Sequence, residues 1–270
     1  MPWPVSIQIC TLNEAANIEA CISSARGTDP AEIVVIDGGS SDDTVSLAKS
    51  SGVRVIEAGP IGLAKQRRLG YLATTCEFVA FVDADDRLEV DWLDVLFHEA
   101  VEGRYAALQS QLRAEAPSNF WTRGWNDYFR ESVKKTSDTN MVGRPALMRT
   151  SALGELQVEP GMIVEDTEMS RTFELMGLRQ GIGAAISRRI CPSTYAENVT
   201  KWKGYGRGYR QFVSEHPERA WAIRKHILWT IPVVRSIRPV LRGNLLQPLF
   251  GFVMASSILR GYLNNPLSGP

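Results

Sequence analysis

Phe78-Val79-Ala80-Phe81-Val82-Asp83-Ala84-Asp85-Asp86 is the stretch that decides the fold. Five apolar residues without a polar interruption fit a strand covered on both faces, not one that alternates between core and solvent. Three carboxylates follow directly. Packed so tightly they repel one another, and a buried carboxylate without a partner is costly. The simplest partner is a divalent, oxygen-seeking cation such as Mg²⁺ or Mn²⁺. The plainer alternative is an acidic turn leading into a helix, with Asp86 as its cap.

Upstream, the same strand signal recurs at Val5–Cys10, Ile33–Ile36 and Val53–Ile56. Helical stretches lie between: one from Asn13-Glu14 to about Ala25, one to Ser51 capped by Ser41 or Asp42, and one over Gly62–Ala73. This alternation predicts an α/β fold with a mainly parallel sheet flanked by helices. In open sheets of this kind ligands bind beyond the carboxyl ends of the strands. Thr11, Asn13 and Glu14 fall there, as do Asp37-Gly38-Gly39 and the acidic triplet.

Downstream come a strand near Ala107–Leu112, an irregular aromatic stretch Phe120–Phe129 and the polar residues 134–140. A strand at Ala146–Arg149 and a loop at 157–162 follow. Glu165-Asp166 then opens a helix whose apolar positions Met169, Phe173, Leu175 and Met176 end at Gly177. Past residue 200 the chain reads as basic, aromatic helices broken by Pro217, Pro232, Pro239 and Pro248. The length of 270 residues suits one domain with an appendage, divided as 1–200 and 201–270.

The zero net charge conceals an asymmetry. From Lys201 onward there are 11 Lys/Arg against Glu215 and Glu218, while the first 200 residues hold 19 basic and 28 acidic ones. Such a split predicts a basic surface facing an anionic partner. Trp202, Tyr205, Tyr209, Trp221 and Trp229 among those cations suit a segment lying on a membrane surface, and an ordinary packed helical lid suits them equally. The apolar run between Gln247 and Arg260 is too short to span a bilayer. Cys10, Cys21, Cys76 and Cys191 form no CxxC pair and read as thiols of a reducing compartment. MPWPVSIQIC carries no signal-peptide pattern, so the expected location is cytoplasmic, with a peripheral position on the cytoplasmic membrane face as the extension.

Taken singly, the remaining motifs stay open. Asp37-Gly38-Gly39-Ser40 fits a plain β-to-α turn or a close backbone approach to a ligand, and it is not GxGxxG. Glu165-Asp166 reads first as dipole-complementary acids at a helix start, and second as a general base. Lys65-Gln66-Arg67-Arg68 reads as a solvated helix face or as a phosphate-facing cation.

In order and spacing, however, ICTLNEAANIEACISSA, EIVVIDGGSSDDT, GLAKQRRLG, FVAFVDADDRL and IVEDTEMSRTFELMGLR together resemble the family 2 glycosyltransferases. These are inverting, nucleotide-sugar-dependent enzymes of the GT-A fold, and the resemblance covers roughly residues 5–180. It implies that Thr11, Asn13, Glu14, Asp37, Gly38 and Arg67 line the nucleotide pocket, with Asp83 helping to hold the nucleotide. It implies Asp85 as ligand of a divalent Mn or Mg bridging the diphosphate, and Asp166 as catalytic base supported by Glu165. The expected partners are a nucleotide-sugar donor, with UDP favoured, and a hydroxyl acceptor that is lipid-linked or membrane-proximal. Polysaccharide, glycolipid or other cell-envelope glycan synthesis is the expected setting, and nucleic acid is not an expected partner. Arg68 stands where the family often has Asn, no QxxRW motif follows Glu165-Asp166, and no His lies between Asp166 and residue 215. A sugar-nucleotide pyrophosphorylase would instead carry a glycine-rich basic loop after the first strand, where this chain has TLNEAAN. A non-catalytic nucleotide-binding relative would have lost the carboxylates that are kept here.

Overall fold

The computed structural model describes residues 2–132, 136–139, 141–154, 165–229 and 246–263. The loop 157–162, part of the polar stretch 134–140, and the positions Pro232, Arg235, Arg238, Pro239 and Arg242 lie outside the described residues. The chain divides into two compact units, the first built from residues 1–113, 133–161 and 165–190.

The first unit holds a nine-stranded sheet. Its strands are β1 (Trp3–Thr11), β2 (Pro30–Asp37), β3 (Arg54–Glu57), β4 (Phe78–Asp83), β5 (Asp86–Leu88), β6 (Ala107–Ala114), β7 (Ser137–Asp138), β8 (Ala146–Arg149) and β9 (Gln180–Arg189). They lie in the order β3-β2-β1-β4-β8-β6-β9-β5, with β7 paired to β9. β1, β2, β3 and β4 run parallel, whereas β8 joins β4 antiparallel and β5 joins β9 antiparallel. The parallel sheet expected from the spacing is present in β1–β4, and an antiparallel half beyond β4 makes the whole sheet mixed.

β4 shows why the strand reads as apolar throughout. Phe78, Ala80 and Val82 pack into one core with Ile7, Ile9, Val35, Trp92 and Leu96. Val79 and Phe81 face the opposite core with Met148, Met169 and Phe173. Both faces are covered, so period-2 alternation has no polar side to show. Phe78 and Phe81, each 1% exposed, contribute about 1.5–3 kcal/mol apiece by burial.

The helices of this unit are α1 (Ile18–Arg26), α2 (Thr44–Ser50), α3 (Leu63–Leu72), α4 (Trp92–Glu102), the short α6 (Thr150–Leu153) and α7 (Glu165–Leu175). α1 begins later than Asn13-Glu14 suggests, because Asn13 takes a left-handed φ of 57° and the loop after it is tied to the α2 entry. Asn13 N donates to Ser40 Oγ at 2.8 Å, and Glu14 N donates to Thr44 Oγ1 at 2.8 Å. The residue preceding α2 is Asp43, not Ser41 or Asp42; Asp42 instead accepts from Thr44 N and Oγ1 at 3.1 and 2.5 Å. α7 ends as expected at Gly177, whose φ of 65° favours a residue without Cβ.

The second unit comprises residues 114–132, 162–164 and 191–270. The aromatic stretch that reads as irregular is a helix, α5 (Phe120–Ser132), joined by α8 (Tyr195–Glu215), α9 (Ala220–Trp229) and α10 (Leu246–Leu263). Trp121, Trp125, Trp202 and Phe250 form one ring cluster with centroids 5.2–6.3 Å apart. Trp202 is fully buried there, so it is a core residue and not an interfacial one. Trp125 Nε1 donates to Asn198 Oδ1 at 2.7 Å inside this cluster. α8 and α10 approach backbone to backbone at Gly206 and Gly261, where any Cβ would meet the facing main chain. No helix among the described residues is long and apolar enough to cross a membrane.

Candidate active site

Strand register aligns the acidic positions. Thr11 lies opposite Asp37 across β1 and β2, and Cys10 lies opposite Asp83 across β1 and β4. The carboxyl ends of three parallel strands thus form one edge, where this sheet type places ligands.

At β2, the buried Asp37 carboxylate organises the turn. Oδ2 accepts from Gly39 N and Ser40 N, both at 2.9 Å, while Oδ1 accepts from Ser40 Oγ at 2.5 Å and Thr11 Oγ1 at 3.2 Å. Four bonds fill the usual acceptor capacity of a carboxylate. Gly38 N donates to Thr11 O at 2.9 Å, and a Cβ at Gly38 would collide with the Gln66 amide. Asn13 closes the far side, its Oδ1 accepting from Ser41 N at 2.9 Å.

At β4, the acidic triplet has a cation from the protein itself. Arg189, at the end of β9, lies opposite Asp86 by register and holds it with two 2.7 Å bonds. Its Nη2 also reaches Asp83 Oδ2 at 3.0 Å. Asp86 is therefore not a helix cap. It is a fully buried strand residue, and burial pushes its carboxyl up to about 7 against the pull of Arg189. Asp85 is the least engaged of the three: among the described residues its carboxylate accepts no hydrogen bond and lies 3.7 Å from Arg189 Nε.

Arg67 joins this turn to α7. It is buried on α3, donates from Nη2 to Asp83 Oδ1 at 2.9 Å, and pairs through Nη1 with Glu165 Oε1. Burial alone would lower its pKa, but Glu165 and then Asp83 outweigh that and hold it above the ordinary arginine value. For Glu165 burial wins over Arg67 and raises the carboxyl. Arg67 and Gln66 thus do not belong to a solvated helix face; Arg68 does, with Nη1 3.1 Å from Tyr71 Oη. Asp166 is only half-buried, and its Oδ1 accepts from Thr167 N at 2.8 Å in the first turn of α7. Of the adjacent acids, Glu165 is committed to Arg67 and Asp166 is the more accessible. Glu14 is raised first by burial and held there in part by Asp85 and Asp83, which places it electrostatically beside the triplet.

The structure thus joins Arg67, Asp83 and Glu165 directly, and Thr11 with Asp37 separately. Arg189 was missed in the sequence, and Ser40 was read only as part of the Asp37 turn, not as a partner of its carboxylate. The basic pair Arg188-Arg189 closing a strand was the available signal for Arg189, since clustered acids need a counter-charge. The carboxylate oxygens of Asp83, Asp85 and Asp86 offer donors within 4.8 Å of one another, a hard-oxygen set that suits Mg²⁺ or Mn²⁺.

This arrangement, a parallel sheet with an acidic strand end and an antiparallel extension, is the GT-A type of α/β fold. The model of "Glycosyl transferase family 2" matches residues 6–157, and the chain belongs to that family. An uncharacterized glycosyltransferase of Rickettsia prowazekii (strain Madrid E) is 32% identical over 149 residues, 50% of each chain. A cholesterol galactosyltransferase of Borreliella burgdorferi is 31% identical over 105 residues, 36% of this chain and 29% of the relative. The chain spans about half the length of the first of these and less of the second. Among solved structures, the fold is similar to glucosyl-3-phosphoglycerate synthase from Mycobacterium tuberculosis in complex with Mn²⁺, UDP and glucosyl-3-phosphoglycerate. The TM-score is 0.58 at 21% identity, over 78% of each chain.

Proposed function

We propose that this chain transfers a sugar, with inversion, from a nucleoside-diphosphate donor to a hydroxyl acceptor. The observation that carries the reading is the Asp83–Arg67–Glu165 bridge, which brings the acidic strand end and the Glu165-Asp166 helix start to one sheet edge. Thr11, Asn13, Glu14, Asp37, Gly38 and Arg67 line the nucleotide side, and Asp83 orients it. Asp85, with Asp83, would hold a divalent Mn or Mg ion, which when bound would neutralise charge growing on the leaving diphosphate.

Asp166 is the base. Its carboxylate takes the proton of the acceptor hydroxyl as that oxygen bonds to the anomeric carbon and the carbon–diphosphate bond breaks on the opposite face. Glu165, held by Arg67, keeps the first turn of α7 in place and cannot rotate into the same role without breaking its ion pair.

UDP is the favoured carrier, supported by the similar fold crystallised with UDP and Mn²⁺. An acceptor of the cell envelope, lipid-linked or close to a membrane, is supported by the basic segment from Lys201 onward and by Trp221, which is 72% exposed beneath Lys225 Nζ at 4.9 Å. The test is a thermal-shift panel of nucleoside diphosphates and nucleotide-sugars with and without Mn²⁺. Metal-dependent stabilisation by one nucleotide is expected, and indifference to all of them would overturn the proposal.

A further inference from the structure

Arg144 is a buried cation with no direct ion-pair partner among the described residues, although Asp166, Glu165 and Asp83 act on it at a distance. It is 5% exposed and immediately precedes Pro145 at the entry to β8. Phe81 pairs with Ala146 across β4 and β8, and two residues before Ala146 the Arg144 carbonyl accepts from Arg189 Nη2 at 3.2 Å, which brings it to the acidic turn. Its guanidinium lies 5.3 Å from the Phe81 ring centroid. Nη1 donates to the carbonyls of Gly143 at 3.0 Å and Val142 at 3.5 Å, and Nη2 reaches only the thioether of Met169 at 3.3 Å. Nε has no hydrogen-bond partner, and among the described residues Arg144 forms no ion pair.

The carboxylates nearby are engaged elsewhere. Glu165 serves Arg67, Asp83 serves Arg67 and Arg189, and Asp166 binds its own helix turn at Thr167 N. Burial and then the neighbouring Arg67 pull the pKa of Arg144 down to about 10, which still leaves it charged at neutral pH. A buried guanidinium with two peptide carbonyls and a sulfur for company is costly to keep. A carboxylate or phosphate offers the fork-matched acceptors it lacks.

We propose that Arg144 is the recognition point for an anionic group, a carboxylate or phosphate, carried by a substrate of this site; the inference rests on the transferase reading. The anion has two sources, a uronate sugar on the donor or a phosphate on the acceptor. Calorimetric titration of the full chain with Mn²⁺ separates them. One arm compares UDP-glucuronate with UDP-glucose, which differ at a single carboxylate. The other compares inorganic phosphate, with and without UDP, against chloride at equal ionic strength.

A preference for the charged probe of about tenfold or more is expected in one arm. That preference should fall at least tenfold in Arg144→Gln, the arm identifying the source. Equal binding of charged and neutral probes by the wild type overturns the proposal, as does a preference that survives in Arg144→Gln. Should that variant not fold, Arg144→Lys, which keeps the charge but loses the fork, replaces it and is expected to lose most of the preference. Failure of UDP alone to bind would remove the nucleotide reading, while the nucleotide-free phosphate arm would still decide for or against Arg144.

Discussion

Arg189 and Asp86 form a two-bond pair, Nε to Oδ1 and Nη2 to Oδ2, each 2.7 Å, across 103 residues of sequence. The acidic turn after β4 therefore carries its own counter-ion, and Asp85 meets it only at 3.7 Å, without a hydrogen bond. Three clustered carboxylates are thereby divided into a structural one, a shared one and a comparatively free one.

Removing Arg189 alone should be severe, because Asp86 would remain buried and uncompensated. Arg189→Met is expected to cost about 3–5 kcal/mol of stability in urea unfolding. Replacing both partners, Asp86→Leu with Arg189→Met, should recover most of that loss. A double variant as unstable as the single one would show that the pair is not the reason.

Asp166→Asn keeps size and helix position but removes the carboxylate proposed as the proton acceptor. Turnover should drop roughly 10²–10⁴-fold with nucleotide affinity little changed. Near-normal turnover with the same donor and acceptor would transfer the base role to another group.

Gly206→Ala places a methyl against the main chain of α10, overlapping Ile258 O and lying 2.7 Å from Tyr262 N. Backbone cannot yield as a side chain can, so the second unit should lose about 1–3 kcal/mol or more. Thermal unfolding of the variant checks this, and an unchanged melting curve would mean the two helices separate easily.

The capping box of α8 predicts a pH response. Glu197 accepts from Ser193 N at 2.8 Å and Thr194 N at 3.1 Å, and these bonds lower its pKa below the ordinary glutamate value. A depressed folded pKa adds stability that is present above the unfolded value and lost as pH falls through the folded one. Melting temperature between pH 3 and 7 should therefore fall less steeply toward acid in Glu197→Gln. Thr194→Ala, which breaks the reciprocal bond, should cost about 0.5–2 kcal/mol.

Much of the first unit was legible because its signals are local. IVVI and FVAFV are buried on both faces, and that forces continuous apolar runs, while Gly177 ends α7 where a left-handed residue is required. What stayed hidden depends on distant pairing. The acids around Asp86 call for a counter-charge without saying that Arg189 supplies it, and nothing near Arg67 announces Glu165, 98 residues away. Phe120–Phe129 looked irregular because its rings pack on Trp202 and Phe250, so its helical face has meaning only once those partners are present. Trp202 misled for the same reason: beside cations, a core tryptophan and an interfacial one have identical neighbours in sequence.

The Asp37 turn has one more implication for any nucleotide that binds there. A carboxylate already accepting four hydrogen bonds offers no vacancy, so contact with a base is an exchange in which a hydroxyl or amide must first let go. The net gain is then a difference between two similar bonds, and a base without a matching N–H gains nothing in return. Selectivity at such a position comes from subtraction. It is set as much by how firmly Ser40 holds on as by anything the ligand brings, and Ser40→Ala should shift nucleotide affinity without touching a single atom of the ligand.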